Sequence, residues 1–261
     1  MAECRLYAQY GIRLNLSDVK NTVTDLYGNE YVGTTITKEG VAIGSYYGYV
    51  ANGFFQSREE IDAAESVYGG DKSAVKPGFI RYVDVDGNGA VNSNDRVVLG
   101  NSTPRYEFGL NFDASWKGLD LTLFFQGVGK RDLFYSGAGV RPLVQNSTMY
   151  ASQLDTWSED NRDAEYPLLL VDNGSTNMNN IISSFWIKNG AYLRLKNLTI
   201  GYSLPKKMLA KAHIDRLRFY LSAQNLFTVC DGYKGYDPES GAGKSLYPLM
   251  KTFSFGVNLE F

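Results

Sequence analysis

Hydrophobic and polar residues alternate along several long stretches of the chain. From residue 106 to residue 116 an apolar side chain occupies every second position, and the alternate positions carry Glu, Gly, Asn, Asp and Ser. Lys117-Gly118 then interrupts the pattern, and the alternation resumes at Leu119. A period of two residues sustained over this length predicts strands longer than the usual five or six residues. The two stretches together predict a β-hairpin with one apolar, aromatic-rich face and one polar face.

Further alternating stretches predict strands near both ends of the chain. They cover residues 5–16, 217–224 and 253–261, and a shorter strand is predicted at 34–37, before a segment rich in Gly and Tyr at 43–50. Between residues 193 and 203 the apolar positions change parity. A β-bulge near Lys196-Asn197 would restore one continuous apolar face along this strand.

The segments between the long strands are polar and are expected to hold only a few short helices. Ser57, with Glu60 three residues later, predicts a capped helix that runs towards Gly69-Gly70. Residues 130–183 form a long excursion, with a second helix predicted around residues 148–157.

Two architectures share this strand pattern. Strands of about ten residues, joined by short turns on one side and by long polar excursions on the other, are typical of outer-membrane barrels. Aromatic residues near strand ends, such as Trp116 and Tyr202, and a final strand that ends on Phe261 favour this architecture. We therefore predict an all-β fold: an antiparallel transmembrane β-barrel segment, partial and open by itself, with a few short helices in its loops.

The alternative is a soluble β-rich carbohydrate-binding module, a sandwich of two sheets. The two architectures differ in where they place the apolar face of the predicted hairpin. A sandwich packs that face into a closed core, whereas a barrel segment exposes it on the outer surface of a curved sheet. The side chains that decide between them are Phe108, Phe112, Leu121 and Leu123.

Composition excludes several classes of function. The chain has 26 basic and 28 acidic residues and a net charge of −2, so it lacks the basic footprint of a nucleic-acid-binding protein. One histidine, His213, and two distant cysteines, Cys4 and Cys230, make a catalytic triad, a zinc site or a disulfide scaffold improbable. The 19 Tyr, 14 Phe and 3 Trp favour strands instead.

Two other segments contain residues that could form a catalytic or phosphate-binding site, but neither pattern supports such a site. Residues 238–245 invite comparison with a phosphate-binding P-loop, but Pro238 stands where the first glycine is needed. The acidic run at 159–165 is typical of a solvated external loop. We therefore expect no enzymatic activity.

Residues 84–95 have the spacing of an EF-hand-like cation loop. Oxygen-bearing residues fall at the first, third, fifth, ninth and twelfth positions, and Gly89 at the sixth permits a sharp turn. The six candidate ligands are Asp84, Asp86, Asn88, the Ala90 carbonyl, Asn92 and Asp95. Oxygen ligands of this kind suit Ca²⁺, so we predict a structural Ca²⁺ site. Asp at the last position resembles dockerin-type loops, and a metal-free loop of Asx-turns is the alternative.

Six segments in sequence resemble one family. They are Ile-Gly-Ser-Tyr-Tyr-Gly-Tyr at 43–49, Tyr-Val-Asp-Val-Asp-Gly-Asn-Gly at 82–89, Phe-Phe-Gln-Gly-Val-Gly at 124–129, Tyr-Leu-Arg-Leu-Lys-Asn-Leu at 192–198, Gly-Tyr-Ser-Leu-Pro at 201–205 and Ala-Gln-Asn-Leu-Phe at 223–227. In this order they resemble the C-terminal part of a SusC/RagA-type TonB-dependent transporter, a large outer-membrane barrel of Bacteroidota.

The resemblance implies a function in the outer membrane of a Gram-negative cell. Such a transporter takes up glycans or peptides under a SusD-like lipoprotein lid, and TonB displaces its plug. The polar positions Glu107, Asn111 and Asp113 would line the channel wall, and the strand ending at Phe261 resembles the signal read by the barrel-assembly machinery.

The resemblance also sets an expectation for domain organisation. Family members carry an N-terminal TonB-contacting segment and a plug inside a 22-stranded barrel, and neither segment is recognised in this sequence. We therefore expect residues 1–261 to be the C-terminal portion of a receptor barrel that does not transport by itself.

Overall fold

The computed structural model describes residues 8–137, 140–143, 149–170, 178–232, 236–239 and 249–261. Within these ranges the strands are β1 (Gln9–Ser17), β2 (Tyr31–Val32), β3 (Thr35–Thr37), β4 (Ser45–Gly48), β5 (Ala51–Phe54), β6 (Ile80–Tyr82), β7 (Val97–Asn101), β8 (Arg105–Trp116), β9 (Leu119–Lys130), β10 (Asp132–Phe134), β11 (Ile187–Asn189), β12 (Tyr192–Ser203), β13 (Arg216–Cys230) and β14 (Thr252–Glu260). The α-helices described are α1 (Arg58–Ala63) and α2 (Lys206–Leu209). Short 3₁₀ turns lie at Lys72–Ala74, Ser93–Asp95, Ala151–Gln153, Met178–Asn180, Ser184–Trp186 and Ala210–Ala212.

The six long strands form one antiparallel sheet in the order β1-β8-β9-β12-β13-β14. The predicted hairpin is confirmed as β8 and β9, with Trp116 opposite Leu119. Lys117 and Gly118 have φ values of 50° and 88° and make a two-residue turn. Such turns need positive φ at both central residues, so glycine at the second position fits the geometry.

The register of the strands places the apolar side chains on one face of the sheet. Leu14 lies opposite Leu110, which lies opposite Phe125 on the other side. Phe125 in turn faces Leu195, which faces Phe227. The ladder shifts between Leu195 and Asn197, which confirms the predicted bulge. The bulge keeps the apolar row continuous although the parity of the sequence changes.

Most of this apolar face is exposed in the part of the chain that the structure describes, although Leu195 and Ala223 within it are buried. Leu14 is 67% exposed, Leu221 61% and Phe255 67%. The four residues that distinguish the two architectures are only half-buried and belong to neither of the buried cores: Phe108, Phe112, Leu121 and Leu123. The closed core of a sandwich is therefore not formed, and the sheet is an open barrel segment.

The connections differ strongly between the two ends of the sheet. Residues 18–104, 131–191 and 231–251 form three long excursions at one end, whereas residues 117–118 and 204–215 make the connections at the other. We call the described parts of the first two excursions the loop body. It contains the small sheets β2-β3-β4-β7, β5-β6 and β10-β11.

The loop body has two buried apolar cores. The larger core joins both excursions: Tyr49, Ile80, Tyr82 and Val91 come from the first, and Leu133, Tyr135, Val140, Tyr166 and Trp186 come from the second. The smaller consists of Phe55, Ile61, Val67, Val75 and Phe79. No helix among the described residues has the length and hydropathy to cross a membrane.

The helix predicted from Ser57 is shorter than expected. Ser57 caps it, since its side chain accepts a hydrogen bond from the Glu60 N–H at 3.2 Å. The Glu60 carboxylate reaches the N–H of Gln56 instead of that of Ser57. The helix ends at Ala63, because the next residue, Ala64, is extended, and this change of direction lets Val67 join the buried core that contains Ile61.

The helix predicted around residues 148–157 is wrong. Residues 144–148 lie outside the described residues, and the rest of the segment contains a three-residue 3₁₀ turn, Ala151–Gln153. The Trp157 N–H donates to the Tyr166 carbonyl at 2.8 Å, so the chain is extended where a helix was expected.

Candidate functional site: the polar face and the Asp84–Asp95 loop

The three predicted channel-wall residues share the face opposite the apolar row. Asn111 lies opposite Arg13, and Asp113 lies opposite Gly11. Arg13 Nη2 donates to Asp113 Oδ1 at 3.4 Å, which links the two strands on this side. Glu107 lies on the same face, opposite Ser17. The polar positions of the sequence pattern therefore share one face, which also carries Val128 opposite Glu107 and Phe124 opposite Asn111.

A second pair on the polar face bridges three strands. Arg218 of β13 donates to Asp120 of β9 through Nε at 2.9 Å and Nη2 at 2.5 Å. The guanidinium crosses Gly201 of β12, where a Cβ atom would lie 2.4 Å from Nη2. A side chain at this position would therefore force the Arg218 guanidinium to shift from its present position. Sequence analysis missed this pair, although a glycine at a polar strand position is a usable signal for close approach.

Residues 236–239, from the third excursion, lie against the polar face near the excursion end. Arg194 of β12 is only 2% exposed. Its Nη2 lies 2.7 Å from Asp237 Oδ1 and its Nη1 2.8 Å from Glu239 Oε2. The Tyr192 hydroxyl also donates to Glu239, at 2.9 Å. Because the partners are more than forty residues apart, no local pattern indicated this contact.

The loop of residues 84–95 brings together three of the six predicted ligands. Carboxylate oxygens of Asp84, Asp86 and Asp95 all lie within 4.8 Å of one another. Asp84 accepts the N–H groups of Gly87 and Gly89, both at 2.7 Å. The two glycines have φ values of 70° and 82°, the left-handed region that the sharp turn requires.

The other three predicted ligands are engaged within the loop. The Asn88 side-chain oxygen accepts the Ala90 N–H at 2.9 Å, and its amide donates to Asp86. The Ala90 carbonyl accepts the Asn92 side-chain amide at 2.9 Å. Asn92 also caps the 3₁₀ turn that contains Asp95. These three are close to the carboxylates in sequence but are oriented towards neighbouring backbone and side-chain groups.

Asp95 is the buried centre of the loop. Its side chain is inaccessible to solvent, and it accepts the N–H groups of Val85 and Asn92, both at 2.7 Å. Burial raises the pKa of this carboxyl group, but hydrogen bonds from the backbone of Asn92, Val85 and Asp86 outweigh burial and lower the pKa overall. Asp95 is thus ionised, and it joins the end of β6 to the start of β7. A cation that binds Asp95 would have to use carboxylate oxygens that already accept these backbone hydrogen bonds.

The acidic run at 159–165 is a solvated loop, as its sequence indicated. Residues 158–163 are exposed, and Asp155 holds the loop closed by accepting the Asn161 amide at 2.8 Å and the Glu165 N–H at 3.1 Å. His213 is exposed in a left-handed conformation after α2.

Comparisons with known proteins identify the family. No protein-family model matches the chain. TonB-dependent receptor P3 of Formosa agariphila is 35% identical over an alignment of 243 positions, which covers 87% of this chain and 23% of P3. TonB-dependent receptor SusC of Bacteroides thetaiotaomicron is 27% identical over 82% of this chain, which covers 20% of SusC.

Solved structures agree with these sequence matches. The RagAB peptide importer in its open-open state matches 97% of this chain with a TM-score of 0.68 and 25% identity. Its closed-closed state matches 100% with a TM-score of 0.70 and 25% identity. The chain belongs to the SusC/RagA family of TonB-dependent receptors. It spans about a quarter of the length of these relatives.

Membership of the SusC/RagA family identifies the environment of each face of the sheet. SusC/RagA receptors are outer-membrane proteins, so the apolar row faces lipid and the polar face lines the barrel interior. The relatives are named as receptors and importers rather than enzymes. The loop body lies at the end of the sheet with the long connections, which is the extracellular end in outer-membrane barrels.

Proposed function

We propose that this chain forms part of the wall and the extracellular loops of a TonB-dependent importer of glycans or peptides. The single observation that carries the proposal is the division of one six-stranded sheet into an exposed apolar face and a charged polar face. Such a division suits a wall between lipid and an aqueous interior. The RagAB relatives are named as peptide importers, which supports a solute of this size class.

The proposal includes three partners: a SusD-like lipoprotein, TonB and the barrel-assembly machinery. A SusD-like lipoprotein covers the extracellular end, where the loop body offers a packed surface. TonB acts through a plug and a TonB-contacting segment of the kind found in the family. The barrel-assembly machinery recognises the C-terminal segment of β14 and Phe261, and Phe261 is 83% exposed.

Uptake by cells tests the transport proposal. The chromosomal gene is deleted and then restored, and cells receive either a pool of labelled oligopeptides or a pool of labelled oligosaccharides. We expect uptake of one pool to depend on the gene and to stop when the proton-motive force that TonB requires is dissipated. Uptake that is unchanged by deletion for both pools would contradict the proposal.

Co-purification tests the lid. An affinity-tagged receptor, extracted in mild detergent, should retain a lipoprotein in stoichiometric amount, identified by mass spectrometry. Recovery of the receptor without any lipoprotein would exclude a stable lid but leave transport itself to the uptake experiment.

The assembly signal is tested by a substitution at the end of the last strand. Phe261→Ser should lower the amount of receptor in the outer membrane. Leu154→Ser is the matched control, because Leu154 is also highly exposed (69%) but lies in the second excursion. Equal amounts of the two variants in outer-membrane fractions would refute the assembly role of Phe261.

We also propose that the Asp84–Asp95 loop binds Ca²⁺ and that the ion has a structural role. The support is the convergence of three carboxylates, together with the spacing of oxygen-bearing residues around Gly89. The ion would draw Asp84 and Asp86 together at an exposed edge, where their mutual repulsion otherwise loosens the loop. The bound ion would tighten the connection between β6 and β7 in the loop body.

Terbium luminescence and calorimetry test this site. Purified receptor is titrated with Tb³⁺ and then with Ca²⁺, before and after the double substitution Asp84→Asn/Asp86→Asn. The matched control is Asp160→Asn/Asp163→Asn, which removes two exposed carboxylates from the solvated loop. We expect only the first variant to lose a saturable Ca²⁺-displaceable signal. Equal signals in both variants would favour the metal-free alternative.

A further inference from the structure

The short-connection end of the sheet carries a cluster of exposed lysines. Residues 204–215 connect β12 to β13 through α2 and the turn Ala210–Ala212. Lys206, Lys207 and Lys211 are all exposed along this segment. Leu209 is buried and anchors it, whereas its neighbour Met208 is 67% exposed. The segment thus presents an apolar side chain among positive charges.

A fourth lysine joins this cluster from the neighbouring hairpin. The Gly118 carbonyl accepts the Ser203 N–H at 2.8 Å, which holds the β8–β9 turn against the start of the 204–215 segment. Lys117 of this turn lies with its Nζ 4.7 Å from the centre of the Trp116 ring. We call Lys117, Lys206, Lys207 and Lys211 the basic patch.

The basic patch has a net positive charge. Among the described residues, none of its four lysines has a carboxylate within ion-pair distance. Arg216 pairs with Glu260 at 3.6 Å, so this carboxylate already has a basic partner. Exposed Asp215, at the end of the same segment, leaves three lysines against one carboxylate there. The patch is therefore available to an external anion.

The basic patch continues directly into the lipid-facing surface. Trp116 is 51% exposed, Tyr202 40% and Phe261 83%, and all three lie at this end of the apolar face. Aromatic girdles of this kind mark the level of the lipid headgroups in outer-membrane barrels. Lysines beside such a girdle can keep their stems against apolar surface while their ammonium groups reach the headgroups.

We propose that the basic patch binds the headgroups of anionic phospholipids, with Met208 inserted at the membrane interface. Short turns lie on the periplasmic side of outer-membrane barrels, so the lipids concerned are those of the inner leaflet. Lysines near an anionic surface each add to such binding. The inference rests on the position of the sheet in the membrane and not on the identity of the imported solute. Its failure would leave the transport proposal intact.

Lipid retention by the purified receptor tests the proposal. The receptor in neutral detergent is mixed with equal amounts of dioleoyl phosphatidylglycerol and dioleoyl phosphatidylethanolamine, and native mass spectrometry measures which lipid it retains. The patch variant is Lys206→Gln/Lys207→Gln/Lys211→Gln. The control variant, Lys20→Gln/Lys76→Gln/Lys251→Gln, removes the same charge from the excursion end of the sheet. Heat-modifiable mobility on gels shows that each variant is folded.

We expect the wild-type receptor and the control variant to prefer phosphatidylglycerol several-fold. The patch variant should lose most of that preference and retain the two lipids in nearly equal amounts, and salt should weaken the preference of the wild type. Equal retention of both lipids by the wild type, or a preference unchanged in the patch variant, would overturn the proposal. The proposal would also be overturned if the patch variant lost binding to a purified TonB domain or to peptidoglycan while it kept the lipid preference. The basic patch would then be assigned to that periplasmic partner.

Discussion

The six-stranded sheet and the loop body use similar side chains in opposite ways. In the loop body Ile61 is fully buried and Trp186 is 1% exposed, whereas in the sheet Leu14 and Phe255 are each 67% exposed. The body completes its own hydrophobic core, as a water-soluble domain does. The sheet leaves its apolar side chains without protein cover because lipid supplies the missing contacts. The loop body is therefore suited to water, and the outer face of the sheet is suited to lipid.

Polar groups follow the same division. In the loop body several buried polar groups have specific partners: the Trp186 Nε1–H donates to the Asn179 carbonyl at 2.7 Å, and the Asn179 side chain accepts the Ile80 N–H at 2.9 Å. In the sheet the interstrand ladder satisfies the backbone, and charged side chains collect on the interior face. The body is thus specified by particular side-chain contacts, and the sheet by its alternation.

The largest effect should come from removing the central tryptophan of the loop body. Trp186→Ala deletes a buried ring that makes an edge contact with Phe185 at 4.8 Å between centroids. We expect the free energy of unfolding of the body to fall by about 3–5 kcal/mol. Limited proteolysis of the purified receptor should then cleave within the excursions, while heat-modifiable mobility shows an intact barrel. Tyr150→Ala is the control, since Tyr150 is 54% exposed, and equal protease resistance of the two variants would show that the body has no independent core.

The second effect should come from placing a charge on the lipid-facing side of the sheet. Leu221 lies in the central part of β13 with 61% of its surface exposed, and in a water-soluble protein Leu221→Arg would be almost neutral. On a lipid-facing strand the same change should destabilise folding by about 2–4 kcal/mol. Ser222→Arg, its neighbour on the polar face, is the matched control. Urea unfolding in lipid vesicles measures both variants, and an equal cost for the two would contradict the assignment of the faces.

The sheet could be predicted from the sequence to a much greater extent than the loop body. Alternation alone placed Phe108 and Leu121 on one face, and the change of parity near Lys196 indicated the bulge. Both signals are local and periodic. The helix expected around residues 148–157 failed because that segment is shaped by distant contacts, such as the one between Trp157 and Tyr166. The Arg194–Asp237 contact was missed for the same reason.

The candidate cation loop was predictable in part. Spacing predicted that Asp84, Asp86 and Asp95 lie together, and the positive φ of Gly89 agrees with the sharp turn expected there, whereas that of Gly87 was not predicted. The burial of Asp95 was not, because it depends on the folding of the loop body around Val91, which is 2% exposed. A sequence pattern identifies which residues carry oxygen atoms but not which of them the fold encloses.

The third effect concerns Asp95 within the loop body. Asp95→Asn keeps the shape but replaces one acceptor oxygen with an NH₂ group that faces backbone donors, and should cost about 1–3 kcal/mol at neutral pH. Because the folded pKa of Asp95 is lowered, its contribution is complete above the unfolded value of about 3.9 and is lost as the pH falls through the folded value. The difference in melting temperature between wild type and variant should therefore shrink below about pH 4. A difference that is constant from pH 7 to pH 3 would contradict this account.

The smallest effect should come from the sheet's own polar face, at the pair of Arg218 and Asp120. The side chains are 15% and 32% exposed, so solvent screens their attraction only in part. A double-mutant cycle with Arg218→Met and Asp120→Asn should give a coupling energy of about 1 kcal/mol in vesicle unfolding. Gly201→Ala should weaken the coupling while both partners remain, because the added Cβ would lie 2.4 Å from the guanidinium and displace it. The coupling energy should thus be several times smaller than the cost of Trp186→Ala in the loop body. Two equal values would mean that side-chain contacts specify the sheet as they specify the loop body. Zero coupling would mean that the backbone ladder and the lipid-facing row suffice without it.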